Sequence, residues 1–330
     1  MVVMVVGGNG QLGSACTARL SARGQQVRAT VRDRSRAGEL EALGADVVLL
    51  DVTDADQRRR ALTGVDVVIA SANAVVPRRG DDPARFDRGL MDLLLDAMQV
   101  GVGRVVLPSV PVTIVDDAVG PMRAKREMEL AISRGTVQGW VLRLPPFMES
   151  WFALVGSSLP LRGESHATLG RPSPFLRRFR ALTGSLVEDR GIMLLPGPSR
   201  RRHAFISVAD AASACVEAAL VDRPAPTAPL EVAGPEVLSW RDVADLFSEV
   251  VGRPVRVVST PAPVYAAFAR LLAPVAPVPS RTMALNRFMA SCESPWSDPG
   301  GGLVDPTTMV TAREFLGAKA ACDQPPVRVP

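Results

Sequence analysis

The 330-residue chain is poor in the residues on which much enzyme chemistry depends. It has one tyrosine, Tyr265, two histidines and, among 38 basic residues, only the lysines Lys125 and Lys319. The four cysteines are widely spaced without a Cys-x-x-Cys pair, which favours reduced thiols over disulfides or a zinc site. No metal-ligand cluster is present in the pattern, so no metal is predicted. No apolar run approaches the roughly 18–20 residues of a membrane helix.

Aromatic residues are also scarce, at 5% of the chain, although the net charge is +4 and the pI about 9.2. Short arginine clusters allow a nucleic-acid surface as one interpretation. Without a binding motif beside them, a solvated surface is the interpretation we favour. The opening "MVVMVV" lacks a basic segment and is interpreted as a strand rather than a signal peptide. We therefore expect a cytoplasmic protein with no nucleic-acid or membrane partner, and possibly a homodimer.

The first 145 residues alternate short Val/Ile/Leu runs with amphipathic stretches. Strands are predicted at Val2–Val6, Val27–Val31, Val47–Leu50, Val65–Ala70, Arg104–Leu107 and Gly139–Leu144. Helices are predicted at Gln11–Arg23, Ser35–Leu43 (with Ser35 as a cap), Asp54–Leu62, Pro83–Val100 and Pro121–Ser133. This alternation is typical of an α/β fold, a Rossmann-type doubly wound parallel sheet covered on both faces.

The pattern breaks after residue 150. Residues 151–190 are predicted to be an irregular insert and a possible lid, since they are rich in glycine, proline and arginine. Residues 191–235 are expected to complete the Rossmann domain that residues 1–150 begin. Residues 236–330 are expected to form a smaller, mostly helical substrate-binding region.

The segment "GGNGQLGSA" follows the first strand and precedes the first helix, which is the context of a dinucleotide-binding loop. Its glycines fit Gly-x-Gly-x-x-Gly and the short-chain variant Gly-x-x-Gly-x-x-Gly. Glycines permit the tight turn, the close approach of the pyrophosphate and the packing of helix on strand, and the helix N-terminus attracts phosphate. The predicted cofactor-binding residues here are Gly7, Gly8, Asn9, Gly10, Gln11, Leu12 and Gly13.

The second strand ends in "VRDRSR", which places arginines where NAD-dependent proteins usually have an acidic residue. An arginine can bind a 2′-phosphate through two hydrogen bonds, so we predict NADPH with Arg32 as the main contact and Arg34 or Arg36 assisting. The alternative is that Asp33 holds the ribose of NAD. Asp51 and Val52 are placed beside the adenine.

Several stretches resemble the atypical short-chain dehydrogenase/reductases of the NmrA-like, isoflavone-reductase-like branch. They are "VVGGNGQLG", "VRATVRDRS", "AKREMELAISRGTVQGWVLRLPPFMESW", "FISVADAASACVEAAL" and "EVAGPEVLSWRDVADLFSEVVGRPV". The resemblance covers roughly residues 1–150 and 203–258. It implies that Ser71, Ala72, Asn73, Ser109, Lys125, Pro145 and Phe147 lie around the cofactor.

Pro121 stands where the resemblance would place the catalytic tyrosine, four residues before Lys125. Relatives of the isoflavone-reductase type dispense with that tyrosine and keep the lysine. We therefore predict Lys125 as the main catalytic residue and Ser109 as a hydrogen-bond donor, with a surface lysine and a loop serine as the alternatives. Candidate substrate contacts are Val110, Met148, Trp151, Phe152 and His166, for which core packing or an exposed loop is the competing interpretation.

These features predict an NADPH-dependent oxidoreductase, a reductase of a small, rather apolar, aromatic or polyketide-like substrate such as those of secondary metabolism. One alternative is a non-enzymatic NADP(H)-binding redox sensor, which needs no proton donor. Another is a non-redox cyclase or epimerase on the same fold. The motifs are specific for the cofactor and carry no information on the substrate or the stereochemistry.

Overall fold

The computed structural model describes residues 1–73, 81–171, 173–323 and residue 325. Its strands are β1 Val2–Val5, β2 Gln26–Val31, β3 Asp46–Leu49, β4 Val67–Ile69, β5 Arg104–Ser109, β6 Gln138–Arg143, β7 Ile192–Pro196, β8 Arg202–His203, β9 Leu230–Glu231, β10 Leu238–Ser239 and β11 Arg256–Thr260. Seven of them form one sheet in the order β3-β2-β1-β4-β5-β6-β9, with every neighbouring pair parallel. The predicted doubly wound sheet is confirmed.

The helices surround this sheet and continue beyond it. They are α1 Gln11–Ala22, α2 Gly38–Ala42, α3 Ala55–Leu62, α4 Pro83–Gln99, α5 Gly120–Arg134, α6 Met148–Leu154, α7 Pro174–Thr183, α8 Leu186–Arg190, α9 Val208–Leu220, α10 Trp240–Val251, α11 Ala262–Leu272, α12 Pro277–Ser291 and α13 Ala312–Ala320. Short 3-10 turns lie at 34–36, 116–118, 159–161, 168–170, 300–302 and 306–308. Within the described residues, no helix combines the length and apolarity needed to cross a membrane.

Two apolar layers cover the sheet, one on each face. Residues of α1 and α9 form the first layer, with Leu20 and Ala211 fully buried. Residues of α3, α4 and α5 form the second, with Leu93 fully buried. Since side chains of a strand alternate between faces, neighbouring positions such as Val3 and Met4 enter opposite layers. This explains the unbroken apolar runs of the central strands.

A third core holds the C-terminal region against the end of the sheet. Phe152 is fully buried at its centre, and the rings of Phe205, Trp240, Phe247 and Phe315 surround it at centroid distances of 5.1, 6.4, 6.0 and 6.2 Å. All four contacts are edge-to-face, which is the geometry that aromatic quadrupoles favour. Helices α10 and α13 are thereby fixed to α6.

The structure corrects two local expectations. The helix predicted over Ser35–Leu43 is a 3-10 turn followed by α2, because the Asp33 side chain accepts the Ser35 amide and becomes the cap. Residues 151–190, expected to be irregular, contain α7 and α8, and Ser173 caps α7. Strand β7 pairs with β11 outside the main sheet, and the proposed division into domains stays a prediction.

Phe152→Ala should destabilise the protein strongly. Truncating a fully buried phenylalanine costs about 3–5 kcal/mol because the surrounding rings cannot fill the space. The free energy of unfolding in urea measures this effect. Phe268→Ala is the matched control, since Phe268 on α11 is 50% exposed. Equal unfolding midpoints for the two variants would contradict the position of Phe152 in the core.

Candidate functional site

A cavity of about 690 Å³ lies where the parallel strands end. Its walls include residues directly after β1, β4, β5 and β6, among them Gly7, Ala72, Val110 and Pro145. Strand order reverses between β1 and β4, so the cavity occupies the switch point at which sheets of this type bind ligands. It extends from the tip of β2 to helix α12 of the C-terminal region.

The glycine loop has the geometry that was predicted from its spacing. Gly7 has a φ of +78°, which favours glycine. A Cβ atom on Gly13 would collide with the carbonyl oxygen of Gly7, so only glycine allows α1 to begin this close to β1. Gly8 packs against Ala29 instead of the cavity. Among the described residues no side chain caps α1. Gly10 and Gln11 at its N-terminus line the cavity, so the positive end of the helix dipole lies there.

Two donors beside this N-terminus fit a diphosphate. The amide nitrogens Asn9 Nδ2 and Gln11 Nε2 are buried and have no hydrogen-bond partner within the described residues. Both side chains line the cavity, and Leu12 lies next to them. Buried donors without partners are costly, whereas phosphate oxygens would satisfy them. The loop therefore fits the pyrophosphate of a dinucleotide.

The insert 151–190 reaches the same loop, a feature that no local sequence signal indicates. Gln11 Oε1 accepts a hydrogen bond from Thr168 Oγ1 of the insert at 3.3 Å, and another from Ser150 Oγ, directly before the insert, at 3.1 Å. A guanidinium nitrogen of Arg171 lies 3.6 Å from the position that a Cβ atom on Gly10 would occupy. Arg171 therefore brings a positive charge from the insert over the phosphate-binding end of the cavity.

The tip of β2 places Arg32 in the cavity wall. Its guanidinium donates to Asp81 at 2.7 Å and lies 5.6 Å from the ring centroid of Phe86. Asp33, the residue of the NAD alternative, accepts from the Ser35 amide and hydroxyl at 3.0 and 2.8 Å through one carboxylate oxygen. Its carboxylate is thus engaged in the turn that follows the strand. Arg36 also lines the cavity.

The remaining residues predicted for the adenosine end are divided between two surfaces. Val52 lines the main cavity. Asp51 and Arg34 line a shallow groove beside it, where Arg34 pairs with Glu41 at 3.5 Å. One oxygen of Asp51 accepts from the amide and hydroxyl of Thr53. Asp51 therefore shapes the loop around Val52, and Arg34 is exposed.

Lys125 lies in the cavity wall on the same face of α5 as Pro121. Its Nζ donates to the carbonyl oxygen of Pro108 at 2.8 Å. Burial lowers the pKa of Lys125 from 10.5 to about 8, against the opposing effect of the carboxylates of Asp87 and Glu129. The ammonium group is therefore far easier to deprotonate than a surface lysine.

Ser109 is only 3% exposed and lies in the cavity wall at the end of β5. Its hydroxyl donates to Glu129, and this carboxylate also accepts from Arg126 and, at 2.8 Å, from Arg143. Burial raises the pKa of Glu129, but the hydrogen bonds from Arg143 and Ser109 prevail and lower it. Since the Ser109 proton is donated to Glu129, the hydroxyl faces the cavity as an acceptor, not as the donor that the sequence led us to expect.

Some of the residues predicted to contact the nicotinamide or the substrate line the cavity, and others do not. The cavity lining includes Ser71, Ala72, Asn73, Val110, Pro145, Phe147 and Trp151. Met148 and Phe152 are fully buried in the third core, where apolar packing explains them. His166 Nε2 lies 2.7 Å from Glu39, away from the cavity lining. For Met148 and Phe152 the structure favours the competing interpretation of core packing, whereas the side chain of His166 is 22% exposed and half-buried outside the cavity lining.

Sequence reasoning missed a charged pair at the α12 end of the cavity. Asp87 on α4 and Arg281 on α12 lie 3.4 Å apart, and both line the cavity with Lys125. Burial raises the pKa of Asp87, while Arg281 and Lys125 oppose that rise. On their helices these residues look like ordinary surface charges, so only the tertiary structure shows the pair.

A tyrosine and a metal-binding group are two further kinds of site residue to compare with the cavity lining. Tyr265 lies on α11, outside the lining residues of the cavity. Across the described part of the chain, no group of three histidine, cysteine or acidic residues is arranged to hold a metal ion. The lining of the cavity thus contains Lys125 and Ser109 but not the tyrosine of the chain.

Comparison with known proteins identifies the cofactor class. Residues 7–134 match the family model described as NAD(P)H-binding. Sterol demethylase protein B of Methylococcus capsulatus is 35% identical over 109 residues, which cover 32% of this chain and 33% of that protein. The match thus spans about a third of that relative's length. An NAD(P)H azoreductase of Xenophilus azovorans is 25% identical over 264 residues, covering 78% of this chain and 77% of that protein.

A solved structure shows the same fold over nearly the whole chain. Triphenylmethane reductase from Citrobacter sp., complexed with NADP(H), superposes with a TM-score of 0.68 at 16% identity, covering 97% of this chain and 100% of the other. Residues 7–134 therefore match the NAD(P)H-binding family model, and nearly the whole chain has the fold of this reductase.

Proposed function

We propose that the protein is an NADPH-dependent reductase of a small, largely apolar aromatic acceptor, and that Lys125 takes the place of the missing tyrosine. The observation that carries the proposal is the position of Lys125 in the cavity wall with a pKa of about 8, one helical turn from Pro121. The azoreductase and triphenylmethane reductase relatives support it, because both names denote extended aromatic acceptors.

The cofactor would be held by residues along one side of the cavity. The glycine loop, Asn9, Gln11 and Arg171 suit the pyrophosphate, and Arg32 suits the 2′-phosphate. Pro145 and Phe147 form an apolar wall suited to a nicotinamide ring. When bound, NADPH supplies the hydride.

Lys125 would supply the proton that balances the hydride. Its Nζ is anchored to the Pro108 carbonyl and keeps further N–H bonds for a ribose hydroxyl and for the acceptor atom. With a quinone or azo acceptor, hydride addition would leave negative charge on oxygen or nitrogen, and the ammonium group would donate a proton to that atom; a cationic triphenylmethane dye would take the hydride without a proton. The apolar walls exclude water and strengthen this interaction.

NADPH oxidation with a panel of azobenzenes, triphenylmethane dyes and quinones tests the proposal. We expect one equivalent of NADPH to be consumed for each two-electron reduction. NADPH binding without consumption by any acceptor would instead favour a sensor that recognises the redox state of the cofactor. The expected homodimer and cytoplasmic location stay predictions.

Arg32→Ala should remove most of the preference for NADPH over NADH. A hydrogen bond to a charged group is worth about 1.5–3 kcal/mol, so NADPH binding should weaken roughly 10- to 100-fold. NADH binding should change little, because NADH lacks the 2′-phosphate. Titration calorimetry with both cofactors measures the difference, and exposed Arg34→Ala is the matched control. Equal wild-type affinities for the two cofactors would refute the assignment.

Arg171→Ala should weaken NADPH and NADH binding alike. Its guanidinium lies over the glycine loop, and the pyrophosphate is common to both cofactors. We expect a loss of roughly tenfold for each, and a similar loss for ADP-ribose. The same calorimetric titrations distinguish this pattern from that of Arg32→Ala. A loss confined to NADPH would show that Arg171 acts on the 2′-phosphate instead.

Lys125→Met should lower turnover by about 10²–10⁴-fold, the usual contribution of a proton donor, while NADPH still binds. The pH profile provides a second readout. Because the ammonium form is present below a pKa of about 8, the wild-type rate should fall as pH rises through that value. The variant should lack this decline. Turnover within about twofold of wild type would mean that Lys125 is not the proton donor.

A further inference from the structure

We propose that the substrate site selects aromatic acceptors carrying one anionic group of the carboxylate type, and that Arg281 binds this group. We call Asp87, Lys125 and Arg281 the charged cluster. The inference rests on the proposed function in placing the substrate beside Lys125, and it adds the chemical class of the ligand.

The first observation is the incomplete pairing of Arg281. Its side chain is 14% exposed and lies in the cavity wall. Its ion pair with Asp87, at 3.4 Å, is longer than a usual charged hydrogen bond. Within the described residues, Arg281 Nε is buried and has no hydrogen-bond partner. A buried donor atom on a charged group is costly unless a ligand completes its pairing.

The second observation is the charge balance of the cluster. Lys125 and Arg281 are cations, whereas Asp87, 18% exposed, is the carboxylate that both of them face. Glu129 also acts on Lys125, but its carboxylate already accepts from Arg126 and Arg143. Arg281 and Lys125 therefore share the single charge of Asp87. In a wall of low polarity an unbalanced charge is unfavourable, and an anionic ligand offsets it.

The third observation is the shape of the surroundings. Helix α12 presents Leu285, Phe288 and Met289 to the cavity, and Met122 and Trp151 lie in the same lining. Asn286 adds one neutral amide. The site is thus an apolar slot with charge at one place. A planar aromatic ring with a carboxylate fits both parts, since the guanidinium fork matches a carboxylate through two hydrogen bonds.

The phosphates of the cofactor do not supply this anion in the proposed arrangement. The glycine loop and Arg171 lie at the β1 end of the cavity, and Arg32 pairs with Asp81 and lies against Phe86 of α4. Arg281 instead pairs with Asp87, whose charge also acts on Lys125. The alternative is that Arg281 only ties α12 to α4 through Asp87. A purely structural role predicts that its removal affects charged and neutral ligands equally.

Calorimetric titration of the NADP⁺-loaded protein with 2-naphthoate and its neutral analogue 2-naphthamide tests the inference. We expect wild type to bind naphthoate about tenfold more tightly or better. Arg281→Met should abolish this preference, and Arg281→Lys should restore part of it. Asp87→Asn removes the competing carboxylate and should strengthen naphthoate binding. Arg270→Met, on the exposed side of α11, is the matched control and should leave both affinities unchanged.

Equal binding of the two ligands to wild type, or no measurable binding of either, would overturn the inference. An equal loss of both ligands in Arg281→Met, with the fold retained, would assign Arg281 a structural role and also overturn it. The proposed function fails independently, through NADPH that no acceptor oxidises. If no acceptor oxidises NADPH but the protein still prefers naphthoate, the proposed reductase function fails and the anion-binding role of Arg281 stands.

Discussion

The close approach of α1 to β1 is the constraint on which the site depends. Because Gly13 has no side chain, the helix starts against the Gly7 carbonyl and its N-terminus opens at the switch point of the sheet. The same approach brings Gln11 within reach of Ser150 and Thr168. A larger residue at position 13 would displace α1, and with it the phosphate-binding donors and the contact with the insert.

A second constraint lies beneath the opposite side of the cavity, where buried Glu129 collects three donors. Ser109, Arg126 and Arg143 all donate to this carboxylate, and Arg126 also pairs with Asp116 at 3.0 Å. The network joins β5, β6 and α5, which are the elements that carry Ser109, the nicotinamide wall and Lys125. Breaking one partner of such a network leaves buried charge unpaired. Glu129 is not among the lining residues of the cavity, and it holds α5 against β5 and β6.

The sequence predicted those parts of the site that depend on local geometry. Each of these parts lies within one or two neighbouring elements: the glycine loop, the arginine at the tip of β2, and Pro121 and Lys125, which lie one helical turn apart on α5. Arg171 and Arg281 could not be predicted, because they reach the cavity from segments far along the chain and look like surface arginines. For Met148 and Phe152 the sequence leaves a substrate contact and core packing equally open, because an apolar residue after a strand suits a pocket and a core equally well. The packing of Phe205 and Phe247 around Phe152 shows that this residue belongs to the core and not to the pocket.

Because proline replaces the tyrosine at position 121, the proposed chemistry depends on the charges that set the pKa of Lys125. In the proposed mechanism the proton comes from Lys125 itself, so the relevant quantity is the pKa of an ammonium group that burial lowers and Asp87 raises. Arg281 shares Asp87 with Lys125 and so weakens that opposing effect. An anionic substrate bound to Arg281 would leave Asp87 more fully to Lys125 and keep the ammonium group protonated. Substrate binding and the supply of the proton would then be coupled through one carboxylate, which joins Arg281 on α12 to Lys125 on α5.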